Sequence, residues 1–347
     1  MASGVTLHWL RPDEVKDAQQ WDAYVEQAPA GTFFHLSGWQ QLLEDLYGHK
    51  SYYLYARRAG CVVGVLPLAR VQSRLFDDAL ISTPFCVYGG VVAEDHGVVT
   101  ALLDAARDLT ARLNVAHLEL RNTTPLDTQW VPKPLYATFK KAISEDAQAN
   151  LKAIPRKQRA EVRRGIKSGL VSRVMEDPDP CYELYAVSLR NLGTPVFPRG
   201  HFHHLKKIFA DRCEMTVLEH QGRAVSGVMS FYFKDQVLPY YGGALPAARK
   251  VGAYPYMYYD LMNRAAAQGR RVFDFGRSKV GTGAYAFKRF YGFEATPLYY
   301  GYHLYHSRAL PDLNPLNPKY QRFIALWKRL PITVANRLGP VLARSLG

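Results

Sequence analysis

Apolar residues along this chain follow two rhythms, one helical and one extended, and the order of the rhythms repeats. Residues 12–30 open at Pro12 and set Trp21, Tyr24 and Val25 on one helical face. Thr32-Phe33-Phe34 reads as extended, and Ser37 is placed to cap a helix from Gly38 to about Tyr47. Strands are predicted over 52–57 and 62–71, on either side of an Ala59-Gly60 turn, with another near 87–92. A helix over 98–113 and a strand over 116–121 close the first run.

The second half passes through the same order. Helices near 181–190 and 200–210 flank the extended Thr194–Phe197, and strands over 215–219 and 225–233 turn at Gln221-Gly222-Arg223. A helix over 256–267 and a strand over 272–275 follow. Tyr240-Tyr241-Gly242-Gly243 answers Val87-Tyr88-Gly89-Gly90, each copy expected between a strand and a helix. The matched flanking order makes the chain a tandem duplication of one α+β unit. Ser144–Ala149 is short and polar, so the units are expected at 1–150 and 151–305. In the remaining tail, 306–347, Pro311, Pro315 and Pro318 form a connector. Tyr320, Phe323, Ile324 and Trp327 then line one helical face, with Lys319, Arg322, Lys328 and Arg329 on the rest. Such a helix either packs back on the first domain or serves as an interfacial or partner-binding helix.

Composition narrows the class. A chain of 347 residues suits two domains. The best apolar run, 80–93, is broken by Ser82, Thr83, Pro84, Gly89 and Gly90, short of a membrane span. Arg11, Asp13, Glu14 and Lys16 near the start do not form a signal peptide. A soluble cytoplasmic protein is expected, with room for peripheral membrane contact. Cys61, Cys86, Cys181 and Cys213 lack C-x-x-C spacing, and His201, His203 and His204 lack the i, i+4 spacing of helical zinc ligands, so no metal is expected. The net charge of +14 is uneven: 151–173 carries eight cations against Glu161 alone. From Arg264 onward fourteen cations face Asp274, Glu294 and Asp312. This asymmetry points to RNA, a nucleotide diphosphate or an anionic membrane face, or else to a merely solvated basic surface. DNA is not among the expected partners.

The strongest candidate chemistry lies in Arg271–Phe293. The strand Val272-Phe273-Asp274-Phe275 breaks at Gly276, presents Arg277, Ser278 and Lys279, and passes Gly281-Thr282-Gly283 to reach Tyr285, Phe287 and Lys288. Phe273-Asp274-Phe275-Gly276, then Gly283, Tyr285, Phe287, Lys288 and Gly292, resembles the signature of the FemAB family. The basic stretch Arg156–Gly169 and the early segment Thr32–Leu43 resemble that family's second-domain opening and first-domain helix. The likeness reaches to about residue 305 and is closest to the FemAB-like proteins of exosortase/PEP-CTERM systems.

The resemblance implies two tandem GNAT-like domains of α+β class, with mixed sheets flanked by helices. It implies an N-acyltransferase moving an aminoacyl or acyl group onto an amine of a cell-envelope or exopolysaccharide precursor. The acceptor would be a nucleotide- or lipid-linked sugar precursor. No cofactor is held; the donor co-substrate is aminoacyl-tRNA or acyl-CoA. The long helical arm that some members insert in the second domain is missing here, so tRNA would be gripped without it.

Acyl transfer to an amine needs a neutral amine, an oriented carbonyl and donors for the developing oxyanion. Lys288, expected in a turn after Gly281 and Gly283, can present a cation to the oxyanion or to a phosphate, or can be a plain surface lysine. Asp274 is either a general base or a buried partner for Arg277 or a tyrosine; Glu119 is its counterpart in the first repeat. Arg277 suits a phosphate or carboxylate clamp. Arg199, ahead of helix 200–210, resembles the family's arginine near an acceptor diphosphate. Lys50 is a first-domain phosphate contact by the same resemblance, and Tyr241, Tyr254, Tyr256 and Phe287 are candidate lining. Arg249-Lys250-Val251-Gly252-Ala253-Tyr254 carries half of the R/Q-x-x-G-x-G/A pattern that cradles the CoA pyrophosphate. Tyr254 stands where Gly or Ala would let amides approach, which favours a donor other than CoA. A CoA-dependent acetyltransferase and a non-catalytic basic RNA- or membrane-binding scaffold are the alternatives.

Overall fold

The computed structural model describes residues 4–73, 78–125, 129–311 and 318–345. The chain forms two compact units: Met1–Tyr136 with Pro297–Leu313 and Arg344–Gly347, and Ala137–Thr296 with Asn314–Ala343. They divide at Tyr136–Ala137 rather than near residue 150, and the region from 306 onward is shared between them.

In the first unit the sheet runs, in spatial order, Val5–Leu10, Lys50–Arg58, Cys61–Val71, Ala79–Ser82, His117–Asn122, Tyr299–Leu304 and Val131–Pro132. Ala79–Ser82 and His117–Asn122 are parallel, while the other neighbours are antiparallel. A parallel neighbour needs a crossover, and helix His96–Leu113 supplies it. Asp95 caps that helix by accepting the Val98 N–H at 3.0 Å, and Asn114 ends it in the left-handed region at φ 53°. Leu102, Leu103, Ala106 and Leu109 bury themselves with Leu54, Leu66, Leu80 and Leu118 on one face of the sheet. Tyr53 points to the opposite face, where Trp21 of helix Val15–Gln27 stacks on it at 5.2 Å.

The second unit repeats the plan. Its sheet runs Val171–Met175, Cys213–His220, Arg223–Phe233, Gln236–Ala244, Val272–Asp274 and Lys140–Ala142. Helix Ala253–Ala267 crosses between the parallel neighbours Gln236–Ala244 and Val272–Asp274. Gly243 abuts Tyr185 of helix Asp179–Leu192, whereas Gly242 faces Tyr258 of helix Ala253–Ala267. Alternation along the strand thus places helices on both faces.

In both sheets the parallel pair is flanked by an antiparallel strand that the sequence assigned to the other unit. Lys140–Ala142 pairs with Val272–Asp274, and Tyr299–Leu304 pairs with His117–Asn122. This exchange explains why the polar stretch near 150 is not the boundary. The strand expected near 87–92 is instead Ala79–Ser82, and Val87–Gly90 is loop. Gly89 and Gly90 both donate to the Arg121 carbonyl at 3.1 Å, and a Cβ on Gly90 would lie 1.9 Å from Asn122 Oδ1. The first YGG is therefore a loop pressed onto a strand end, whereas the second lies inside the strand Gln236–Ala244.

The tail forms two helices, Pro318–Trp327 and Ile332–Ala343, both in the second unit. Arg190 donates to the Lys328 and Leu330 carbonyls, Ile324 packs on Gly193, and Gly339 packs on Val196. The helix expected on the first domain therefore docks on the second. Pro315 and the side chains of Pro318 and Lys319 lie outside the described residues.

Candidate active site

The parallel strands of the second unit are joined only through Gln236↔Val272 and Val237↔Phe273. Past that point Val272–Asp274 ends. Gln236–Ala244 meanwhile shifts register against Arg223–Phe233 between Met229 and Ser230, skipping Tyr240. Two parallel strands that part at their carboxyl ends leave a crevice, the usual ligand position in open α/β sheets. Gly242 lies on its wall: a Cβ there would sit 2.9 Å from Tyr258 Oη and 3.6 Å from Tyr254 Oη. Tyr258 donates to Tyr254 at 2.8 Å, and burial raises both phenols above their ordinary range. Phe275 lies edge-on to Tyr258 at 4.7 Å, and Phe287 sits 5.5 Å from Tyr254.

Lys288 is helical rather than in a turn. Thr282 caps helix Gly283–Phe290 by accepting the Tyr285 N–H, and Lys288 emerges in its last turn. Its ammonium donates to the carbonyls of Phe275, Gly276 and Arg277 at 2.7, 3.0 and 3.0 Å. The Phe139 ring lies 5.3 Å from it. Burial pushes the amine down to about 7, opposed by the Asp274 carboxylate and assisted by Arg277. The three carbonyls favour the charged form, so the cation is held by local dipoles at the carboxyl end of the strand.

Asp274 has no exposed side-chain area. Oδ1 accepts the Gly276 N–H at 2.7 Å, and Oδ2 lies 3.2 Å from Lys140 Nζ on the directly opposed residue of the next strand. Lys140 is therefore an ion-pair partner of this buried carboxylate, one that the sequence did not point to. Its bond to Gly276, at φ 63°, holds the left-handed turn that aims the three carbonyls at Lys288. Arg277 is half-buried immediately beyond that turn.

The structure thus gathers Lys288, Asp274, Arg277, Phe287 and Tyr254. Tyr241 is buried on the other face of the sheet, 2.9 Å from His201 Nε2 and ringed by Tyr185, Phe197 and Phe202. Burial drives His201 down to about 3, so it is a neutral core imidazole. Tyr256 packs against Gly165 of helix Arg156–Lys167, where a Cβ on the glycine would lie 2.4 Å from the Tyr256 Cβ. Arg199 opens helix Arg199–Phe209 and pairs with Asp179 at 2.6 Å and Glu183 at 3.1 Å. Asp179 also meets His203 at 2.8 Å, and with Asp177 these form an exposed to half-buried cluster. Lys50 begins a strand of the first unit, 5.6 Å from the Tyr52 ring.

The half-matching pyrophosphate loop has another use. Gly252 precedes helix Ala253–Ala267 at φ 65°, and a Cβ there would lie 2.5 Å from the Glu161 carbonyl oxygen. Arg164 donates to the Arg249 carbonyl at 2.8 Å. The basic helix Arg156–Lys167 therefore occupies the space beside Gly252, and the glycine serves helix–helix approach. Sequence reading missed Tyr258, Phe139 and Lys140. Tyr258 carried a signal, standing four residues beyond Tyr254 and so on the same helical face; Lys140, in a three-residue strand, carried none.

Residues 156–289 match the family model described as an acetyltransferase (GNAT) domain, a span that includes the crevice and Lys288. No curated protein matches the sequence. Among solved structures, FemX is similar with a TM-score of 0.68 at 14% identity, covering 92% of this chain and 100% of that one. The fold is a tandem pair of GNAT domains. A tandem GNAT protein from the clavulanic acid biosynthesis pathway is similar at 0.58 and 13% identity, covering 88% of this chain and 100% of that chain. L-PGS from Bacillus licheniformis is similar at 0.53 and 16% identity, covering 90% and 97%. At these identities the likeness is one of fold.

Proposed function

We propose that this chain is a FemAB-like N-acyltransferase that transfers an aminoacyl or acyl group to an amine of a cell-envelope or exopolysaccharide precursor. The observation that carries this reading is the Lys288 ammonium, fixed by three carbonyls at the carboxyl end of the strand Val272–Asp274, where the parallel pair of the matched GNAT domain parts. In the reaction the acceptor nitrogen attacks the donor carbonyl, and the ester or thioester bond breaks after collapse of the tetrahedral oxyanion. The proton released by the nitrogen leaves with the departing hydroxyl or thiol. Lys288 supplies positive charge where the oxyanion or a donor phosphate lies. Asp274 acts as a positioning group, because its buried carboxylate is committed to Gly276 and Lys140. Arg277 holds an anionic group of the acceptor.

The donor favoured is aminoacyl-tRNA. Gly252 is taken up by helix Arg156–Lys167, and that helix exposes Arg156, Lys157, Arg163, Arg164 and Lys167. The second reading, a CoA-dependent acetyltransferase, is favoured by the family match itself. Incubation with labelled aminoacyl-tRNA or acyl-CoA, together with nucleotide- and lipid-linked amino-sugar or peptide precursors, followed by mass analysis, separates the two. A product from acyl-CoA alone selects the second reading, and near-normal turnover by Lys288→Ala removes Lys288 from the chemistry.

A further inference from the structure

The two C-terminal helices present a surface that the crevice chemistry does not use. Ile332–Ala343 buries Ala335, Gly339 and Ala343, one helical stripe of small residues, against the second unit. Its outward stripe is Val334, Leu338 and Val341, and Val341 is 70% exposed. These residues follow i, i+4, i+7 spacing and so lie on one face. Arg337, exposed, sits on the edge of the same stripe. The preceding helix, Pro318–Trp327, buries Trp327 and leaves Phe323 and Leu326 outward, Leu326 at 65% exposure, beside the exposed Arg322. Lys328 and Arg329 follow, both exposed.

No residue of 313–347 is Asp or Glu, while six are Lys or Arg. Five outward apolar side chains on helices whose own charged residues are all cations differ from an ordinary solvated helix face, which mixes both signs of charge. The matching partner is a surface with apolar depth beneath a layer of negative charge. At ten and twelve residues the helices are too short to cross a bilayer, which takes about 20 residues, but suited to lying in its interface. We propose that this helical pair docks the protein on anionic phospholipid bilayers, with Phe323, Leu326, Val334, Leu338 and Val341 in the acyl boundary and Arg322, Arg337, Lys328 and Arg329 at the headgroups. The proposal stands apart from the identity of donor and acceptor.

The test is flotation of the full chain with phosphatidylcholine vesicles, with and without phosphatidylglycerol. Association at least about tenfold stronger with the anionic vesicles, and weakened by salt, is expected. Leu338→Glu with Val341→Glu, both outward positions, lowers that association about tenfold or more while thermal unfolding stays unchanged. Arg337→Gln lowers it less. Equal binding to both vesicle types, or no binding, overturns the proposal, as does anionic binding indifferent to the Leu338/Val341 change. Self-association without vesicle binding, abolished by that same change, would assign the face to a second copy and also overturn it. RNA binding lost in that variant with no vesicle binding does the same.

Discussion

The two units carry the same parallel strand pair, and they treat its carboxyl end in opposite ways. In the first unit the end is filled. Arg121 lies buried with its guanidinium on Glu119 at 2.8 Å and on the Cys86 carbonyl at 2.7 Å. Tyr302 donates to Glu119, Tyr300 donates to the Val87 carbonyl, and the Gly89-Gly90 loop is hydrogen-bonded across the top. Tyr299–Leu304 pairs with the whole of His117–Asn122. In the second unit the corresponding outer strand is only Lys140–Ala142, and the strand it borders stops at Asp274. The cation here belongs to a separate helix and holds backbone carbonyls instead of a side-chain acid. A duplicated unit can thus close one strand end with a buried guanidinium and a full-length neighbour, and leave the other more open by shortening two strands.

Each acid is held by the residue directly opposite it on the antiparallel neighbour: Glu119 by Tyr302, and Asp274 by Lys140. The strength of the two arrangements differs with exposure, and this supplies the sharpest tests. Arg121→Met takes the guanidinium away from the buried Glu119 carboxylate and should cost about 3–5 kcal/mol of stability, read by urea denaturation. Lys140→Met removes a partly solvated amine from the fully buried Asp274 carboxylate, which keeps the Gly276 N–H, and should cost less, about 1–3 kcal/mol. Equal costs would mean that the two strand ends are not energetically distinct.

On activity the order reverses. Lys288→Ala should lower turnover on a demonstrated substrate by about 10²–10³-fold, the range for removing one electrostatic stabiliser of an oxyanion. Variants of Arg121 that remain folded should retain turnover. A variant of Lys288 that stays active while a folded Arg121 variant does not would place the chemistry in the first unit.

The glycine pairs discriminate at smaller magnitude. Gly90→Ala drives a Cβ into Asn122 and should destabilise by about 1–3 kcal/mol. Gly242→Ala closely approaches just the hydroxyl end of Tyr258, with Tyr254 and Val228 at ordinary contact distance, so its main effect should be on substrate affinity, seen as a higher KM with an unfolding midpoint near that of the parent. Smallest is Tyr254→Phe, which removes the acceptor for Tyr258 and should cost about 1 kcal/mol.

A pH series separates the cations as well. Because the Lys288 amine is lowered to about 7, the folded protein binds fewer protons than the unfolded chain from there up to the ordinary lysine value. Stability should rise with pH across that window, with the burial penalty fully present below it. Lys288→Met should flatten this slope, and a directly observed amine titration near the ordinary lysine value would remove its cause. His201 works at the acid end: lowered to about 3, it stays neutral while the unfolded chain takes up a proton. Stability should therefore fall as pH drops below the ordinary histidine value, and His201→Phe should lessen that fall.

Much of the site was legible because local chemistry announced it. Gly276 marks a broken strand, Thr282 caps the helix that follows, and Phe287 and Lys288 are adjacent on it. What misled was periodicity over short distances. Eight residues, Gly283–Phe290, rich in glycine at their start, read as turn but are helical once Thr282 caps them. Tyr241, Tyr254 and Tyr256 are equally aromatic in sequence, yet alternation on the strand and the helical angle send them to three different places.

By itself the sequence determined the duplication, the main helices and most of the central strands, and the stretch that carries the candidate site. All three rest on residues near one another in the chain, where propensity and spacing act directly. The tertiary structure alone decided which strand completes which sheet, because a three-residue strand such as Lys140–Ala142 has no pattern of its own and is specified by its partner. It also decided that Asp274 answers to Lys140 and that Gly252 answers to Glu161. In both cases groups more than ninety residues apart in sequence become neighbours, and only packing sets which acid stays buried and which cation is left at the crevice.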